Sequence, residues 1–245
     1  MLRLLSWIWS IFLLVLAKTK KSIQAFCDSF IRRQSTISTL HEQCASQNQQ
    51  LAQLWQLSQK SSILFIAIHL QFDRRDSKKI NAIGLCKWYP GFYAMECFHW
   101  QIAGLGMAED LNAQSKIERF SFGETDFITE SHIKSTLDEA FRLPSHIKHA
   151  SLVGHDLDAQ LGHLKVYWEP PDCVTTIDTQ KIWQFQCQDD RKVLLANAVR
   201  GIPHDYLSQC DVNHAGNAAR CIIGLLNLYG PDSIVLGAKF AKAQG

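Results

Sequence analysis

Four short stretches of this 245-residue chain hold the residue types that could do chemistry: His69-Leu70-Gln71, Gly154-His155-Asp156-Leu157-Asp158, Ile177-Asp178-Thr179 and Asn213 through Arg220. Asp156, Asp158 and Asp178, with Asp73 and Asp76 further upstream, supply carboxylates, and carboxylate oxygens are what a hard cation such as Mg²⁺ requires. His69, His155, His163 and His214 supply imidazoles, which suit Zn²⁺ better. No H-x-x-x-H or C-x-x-C spacing supports a zinc site. Aspartates in these positions also have a simpler reading, because turns and helix starts favour Asp for its side-chain to backbone hydrogen bonds. Isolated histidines are commonly satisfied core or surface residues.

Taken together, Leu152-Val153-Gly154-His155-Asp156-Leu157, Thr176-Ile177-Asp178-Thr179-Gln180 and Asn213-His214-Ala215-Gly216-Asn217-Ala218-Ala219-Arg220 resemble the ribonuclease H-like domain of DEDD-type 3′-5′ exonucleases. Phe120-Ser121-Phe122-Gly123-Glu124 is similar to a Phe-x-Phe-Gly signature of one fungal family, that called after "good for full DEAD-box protein activity". The resemblance runs from about Ser62 to Tyr229. It implies an α/β fold with a mixed five-stranded sheet, three antiparallel strands in a meander and then two parallel ones, flanked by helices. It also implies Mg²⁺ or Mn²⁺ as cofactor, nucleic acid as ligand class and a link to RNA metabolism.

The same resemblance locates five functional positions, and all five depart from it. His69 and Gln71 stand where the family carries the two acids of Asp-x-Glu. Gln160 stands at the third acid, Asn213 at the histidine general base and Ala218 at the last aspartate. Two-metal hydrolysis clamps its ions roughly 4 Å apart, and strand residues i and i+2 share a face, so Asp-x-Glu can present two carboxylates together. Here that face offers an imidazole and an amide, and Ala218 has no donor atom. The expectation is a catalytically inactive exonuclease-like module with no cofactor. Its candidate binding surface comprises His69, Gln71, His155, Asp156, Gln160, His214 and Asn217, and its candidate partners are single-stranded nucleic acid, held weakly, or another protein. One alternative is an active, metal-dependent 3′-5′ exonuclease with a rearranged site at Asp156, Asp158, Asp178 and His214. The other is a secreted or membrane-tethered interaction protein using the fold as scaffold.

Apolar runs at Ile63–Leu70, Ile80–Trp88 and Tyr93–Ile102 predict the meander, with Tyr89-Pro90-Gly91 as a turn. Thr129-Glu130-Ser131 predicts a helix start, with Ile133, Leu137 and Phe141 on one face and Pro144 closing it. Ser151–Leu157 and Val174–Thr179 predict the parallel pair, separated by a helix carrying Leu157, Leu161 and Leu164. A short helix over Val193–Val199 precedes a final one from Ala215 to Tyr229, which turns Ala219, Ile222, Ile223 and Leu226 to the sheet and is stopped by Gly230-Pro231.

A net charge of +2 announces no strongly basic face for nucleic acid, while 47% hydrophobic residues suffice for a sizeable core. Leu4 to Ala17 is an apolar run of 14 residues between Arg3 and Lys18, short of the about 20 that a spanning helix needs. It reads as a signal peptide or short anchor, touching membrane through residues 4–17, or as a helix packed on the domain. Targeting would place the chain in the secretory pathway or at a membrane, and its failure would leave it cytoplasmic or nuclear. The expected organisation is 1–17 apolar run, 18–60 polar helical or linker segment, 61–232 exonuclease-type domain and 233–245 tail. Of eight cysteines, Cys86 and Cys97 fall on neighbouring strands and form the first pair to consider if oxidation occurs. Buried cysteine as a small apolar residue is the competing reading.

Overall fold

The computed structural model describes residue 29 and residues 38–58, 63–73, 75–90, 94–103, 120–200 and 211–244, with side chains in the last helix to 235. Residues 1–17, and with them the targeting and membrane-contact expectations, lie outside the described residues. Among the described residues no helix is long and apolar enough to cross a membrane.

The chain divides into two compact units, Met1–Gln43 and Cys44–Gly245. Of the first, residue 29 and the opening turns of a helix over 38–58 are described. The rest of that helix, α1, belongs to the second unit, where Leu51 and Leu54 are buried in the main core. The unit that holds the sheet therefore starts before residue 61, where the sequence places its boundary.

The sheet is built from β1 (Ile63–Phe72), β2 (Ile80–Tyr89), β3 (Ala94–Ala103), β4 (Thr125–Thr129), β5 (His149–Gly154) and β6 (Val174–Asp178). Their order across the sheet is β4-β3-β2-β1-β5-β6. β1, β2 and β3 form the antiparallel meander, and β5 and β6 add in parallel beside β1. β4 is a sixth strand, parallel to β3, in a place where the sequence predicts only the approach to a helix. Thr125-Asp126-Phe127-Ile128-Thr129 is a half-exposed edge strand without a long apolar run, so its sequence lacks the signal that marks its neighbours.

Helices cover both faces, which is why central β1 reads as an unbroken apolar run. Leu64, Ile66, Ile68 and Leu70 point to α2 (Ile133–Ala140) and α3 (Leu157–Leu164). Phe65 and Ala67 point to the opposite face, under α1, α4 (Thr179–Cys187), α5 (Leu195–Arg200) and α6 (Ala215–Gln244). A 3₁₀ turn over Glu130–His132 leads into α2.

Two helical expectations need correction. α4, absent from the sequence reading, begins where Asp178 ends β6 and accepts a hydrogen bond from Gln180 N, an N-cap in place of a continuing strand. α6 does not stop at Gly230-Pro231 but continues to Gln244, so the expected tail is helical. Pro231 removes one backbone donor to the carbonyl four residues back, that of exposed Asn227, where water can serve instead. Its inward residues Ala219, Ile222, Ile223 and Leu226 are buried as the periodicity predicts.

Gln47 of α1 joins that helix to β6. Its Oε1 accepts from Asp178 N at 2.7 Å and its Nε2 donates to the Thr176 carbonyl at 3.4 Å.

Candidate functional site

Two groups of residues form at the end of the sheet where the motifs converge. The first lies where β1 and β5 part. Their pairing ends at Ala67↔Val153, which leaves the Leu70 amide without a strand partner on that side. Gln160, projecting from α3, fills the opening: its Oε1 accepts from Leu70 N at 2.9 Å and its Nε2 donates to the His155 carbonyl at 2.7 Å. The side chain that the sequence puts at the third acid position is thus a buried strut between two strands, with both ends of its amide engaged.

His155 is held as firmly. Its Nε2 donates to the Val193 carbonyl at 2.8 Å, and its Nδ1 lies 3.1 Å from the Thr179 hydroxyl. Burial lowers its pKa, against the Val193 carbonyl and the charges of Asp178 and Asp156, which raise it. Asp178 is buried beside it and accepts three backbone N–H bonds. Oδ1 takes Asp156 N at 3.0 Å and Gln180 N at 2.9 Å, and Oδ2 takes Leu157 N at 3.0 Å. One carboxylate therefore caps the starts of both α3 and α4. Burial raises its pKa and the amides from Gln180 and Leu157 oppose that rise. Asp156, at a left-handed φ of 58°, turns its carboxylate outward to Lys192 Nζ at 2.8 Å. Asp158 pairs with Lys181 at 2.6 Å.

The second group lies under the start of α6. Register places His69, Gly84, His99 and Thr125 in one row across β1, β2, β3 and β4. The helix backbone descends onto this row, so close that a side chain at Gly84 would run into the Ala215 carbonyl. A side chain at Gly216 would strike Phe120 and the His99 Cβ. The His214 ring sits 3.9 Å from His99, centroid to centroid, and stacks nearly parallel on Phe120 at 5.5 Å. Asn217 Oδ1 accepts from Ser121 N at 3.0 Å, and the Arg220 guanidinium lies 5.7 Å from the Phe122 ring. The Phe-Ser-Phe-Gly segment and the Asn-His-Ala-Gly-Asn motif are therefore two sides of one packed contact.

This second group is not fully satisfied. His69 Nδ1, His99 Nε2 and both ring nitrogens of His214 are buried without a hydrogen-bond partner, although His99 Nδ1 meets the Thr125 hydroxyl at 2.9 Å. Desolvation lowers the pKa of His69 to about 4, with help from the charge His155 would carry, and that of His99 to about 4, with help from His214.

The structure thus brings His155 and Gln160 together, holds His69 in the row under α6, puts His214 and Asn217 into the docked contact and turns Asp156 outward to Lys192. Gln71 is half-buried beside the first group. Asn213 is exposed, and its backbone N and side-chain Nδ2 both donate to Asp211 Oδ1 at 2.9 Å. Ala218 is fully buried within the apolar cluster on the α6 face. At the five positions where the resemblance expects ligands or base, the donor set is an imidazole, two amides turned to backbone or to Asp211, one half-buried amide and a methyl group. Such a set does not fit Mg²⁺ or Mn²⁺, which want several charged oxygens. At the positions of the rearranged alternative, Asp178 accepts backbone amides, Asp156 and Asp158 pair with lysines, and His214 packs on aromatic rings. Among the described residues no three His, Cys, Asp or Glu side chains are grouped to hold a metal ion.

His99, Thr125, Lys181 and Lys192 belong to these surroundings and are not singled out in the sequence. His99 could have been found from the hairpin register, which sets it two strands from His69; the two lysines carry no local signal.

A family model described as DEDDh_C: DNA polymerase III subunit epsilon-like, C-terminal domain, matches residues 92–227, more than half of the chain. The match takes in Gln160, Asn213 and Ala218 and begins after β1. No curated protein matches the chain.

Proposed function

We propose that this chain, which belongs to the DNA polymerase III epsilon-like DEDDh_C family, is an exonuclease-like domain that has exchanged catalysis for binding. The observation that carries the proposal is Gln160. At a position where the family pattern expects a metal-binding acid, an uncharged amide closes the gap between β1 and β5 with both of its ends bonded to backbone. His69 beside it and buried Ala218 offer no charge to offset two dications. The narrower kinship, to the fungal family called after "good for full DEAD-box protein activity", rests on Phe120–Glu124 and Asn213–Arg220 and is part of the same proposal.

As a binding module, the domain would take single-stranded nucleic acid weakly. A net charge of +2 and the absence of a base-reading motif favour a contact that weakens steeply as salt rises. The direct test is incubation of the full chain with end-labelled single-stranded RNA and DNA in Mg²⁺ and in Mn²⁺. The expected outcome is no 3′-end shortening, for the natural chain and for Ala218→Asp alone, since two-metal chemistry needs its ligands together. Chelator-sensitive shortening by the natural chain would overturn the proposal, and turnover by the single revertant would show the motif register to be wrong.

A further inference from the structure

On the α6 face of the sheet, away from the parted strands, Cys86 of β2 and Cys97 of β3 are register partners with Sγ atoms 2.8 Å apart. Directly opposed residues of an antiparallel pair have Cα atoms about 4.5–5.5 Å apart, within the roughly 4.4–6.8 Å that a disulfide spans. Both thiols are reduced here. Cys86 is sealed in the core among apolar residues, whereas Cys97 is half-buried.

We infer that Cys86 and Cys97 form a reversible redox site, a cross-strand dithiol that low-molecular-weight disulfides oxidise to an intramolecular disulfide. The geometry separates the roles. Cys97 is the sulfur within reach of an incoming reagent. The Cys86 hydrogen bond lowers its pKa and the Arg220 charge adds to the effect, while burial pushes the Cys86 thiol up. The thiolate is the nucleophile in disulfide exchange, so Cys97 attacks first. Its sulfur bonds to one sulfur of oxidised glutathione, the S–S bond of the reagent breaks, and one glutathione leaves as thiolate. Cys86 then attacks the Cys97 sulfur, the second glutathione leaves, and the Cys86 proton passes to a departing thiolate. Two protein thiols are oxidised, and one glutathione disulfide is reduced to two thiols. The product joins β2 to β3.

The test equilibrates the full chain with mixtures of reduced and oxidised glutathione, quenches with iodoacetamide and maps every cysteine by peptide mass spectrometry. As the mixture becomes oxidising, the 86 and 97 peptides should become cross-linked and lose alkylation together, and reduction should restore both. In Cys86→Ser, the expected product is a lasting glutathione adduct on Cys97, because the second step has no sulfur. Exposed Cys173 reports that the oxidant has acted. Full alkylation of Cys86 and Cys97 in a natural-chain sample whose Cys173 carries glutathione would overturn the inference, as would a cross-link from Cys97 to any other cysteine.

Discussion

The turns that follow β5 and β6 and the start of α6 border the same end of the sheet, yet they treat polar groups in opposite ways. In the turns, the buried polar atoms have partners, the Gln180 side-chain nitrogen excepted: Asp178 takes three amides, Gln160 bridges two strands and His155 holds a carbonyl. Under α6, His99 and His214 are packed against rings, and they and His69 have buried nitrogens left unpaired. A buried polar group costs free energy when unsatisfied, so the first region stabilises the fold through its polar atoms and the second in spite of them. What each keeps of the motif pattern follows. Asp178 remains because two helices start on it. His214, Gly216 and Asn217 remain because they fit the Phe120–Gly123 segment. Ala218, at a ligand position, packs as a core methyl.

Breaking the satisfied region should have the largest effect. Asp178→Ala orphans three backbone donors at once, and at ~1–3 kcal/mol for each buried unsatisfied group the expected loss is about 4 kcal/mol, read from the denaturant midpoint. A loss under about 1 kcal/mol would mean that water replaces the carboxylate and that the two regions do not differ. Gln160→Asp is next. The shorter side chain cannot reach both Leu70 N and the His155 carbonyl, and a destabilisation of about 2–3 kcal/mol is expected, measured in the same way. An unchanged midpoint would remove Gln160 from its role as strut.

The unsatisfied region should reveal itself through pH. The folded-state values of His69 and His99 fall to about 4 from 6.5, so between those values the unfolded chain binds more protons than the folded one. Their neutral forms leave stability intact above pH 6.5, and it drains away as pH falls from 6.5 towards 4. For buried His99 the loss is on the order of 2 kcal/mol by linkage. Denaturant midpoints of the natural chain and His99→Asn, measured at pH 7 and at pH 4.5, should converge at the acidic end; a constant gap would contradict the depressed value. The smallest effect belongs to the rim, where Lys192→Ala breaks an exposed pair with Asp156. A change within about 0.5 kcal/mol is expected, and a larger one in a thermal melt would make that pair part of the clamp.

Much of the fold was legible because its strands are buried on both sides. Ile63–Leu70 and Ser151–Leu157 could be read from their apolar runs, although the second strand ends at Gly154, and the periodicity of Ala219, Ile222, Ile223 and Leu226 marked the inward face of α6. The misses share a cause, for they sit where local signals compete. Thr125–Thr129 is a polar edge strand abutting a helix-start signature, and Asp178-Thr179 reads equally as strand end and helix cap. Pro231 looks like a stop unless the exposure of Asn227 is known. In the candidate site the departures at His69, Gln71, Gln160, Asn213 and Ala218 follow from the resemblance to the exonuclease motifs. The alternative uses of those residues do not, since the reach of Gln160 to Leu70 joins positions 90 residues apart.

The Gln47 amide on β6 has a consequence for how this molecule meets others of its kind. β6 is the last strand of the sheet, and the outer edge of such a strand is a row of donors and acceptors onto which another chain could add. Gln47 presents one acceptor to Asp178 N and one donor to the Thr176 carbonyl, the same pair of bonds that a neighbouring strand would offer at that point. A single side chain thus imitates a strand where the sheet ends, and guards that edge against templated aggregation.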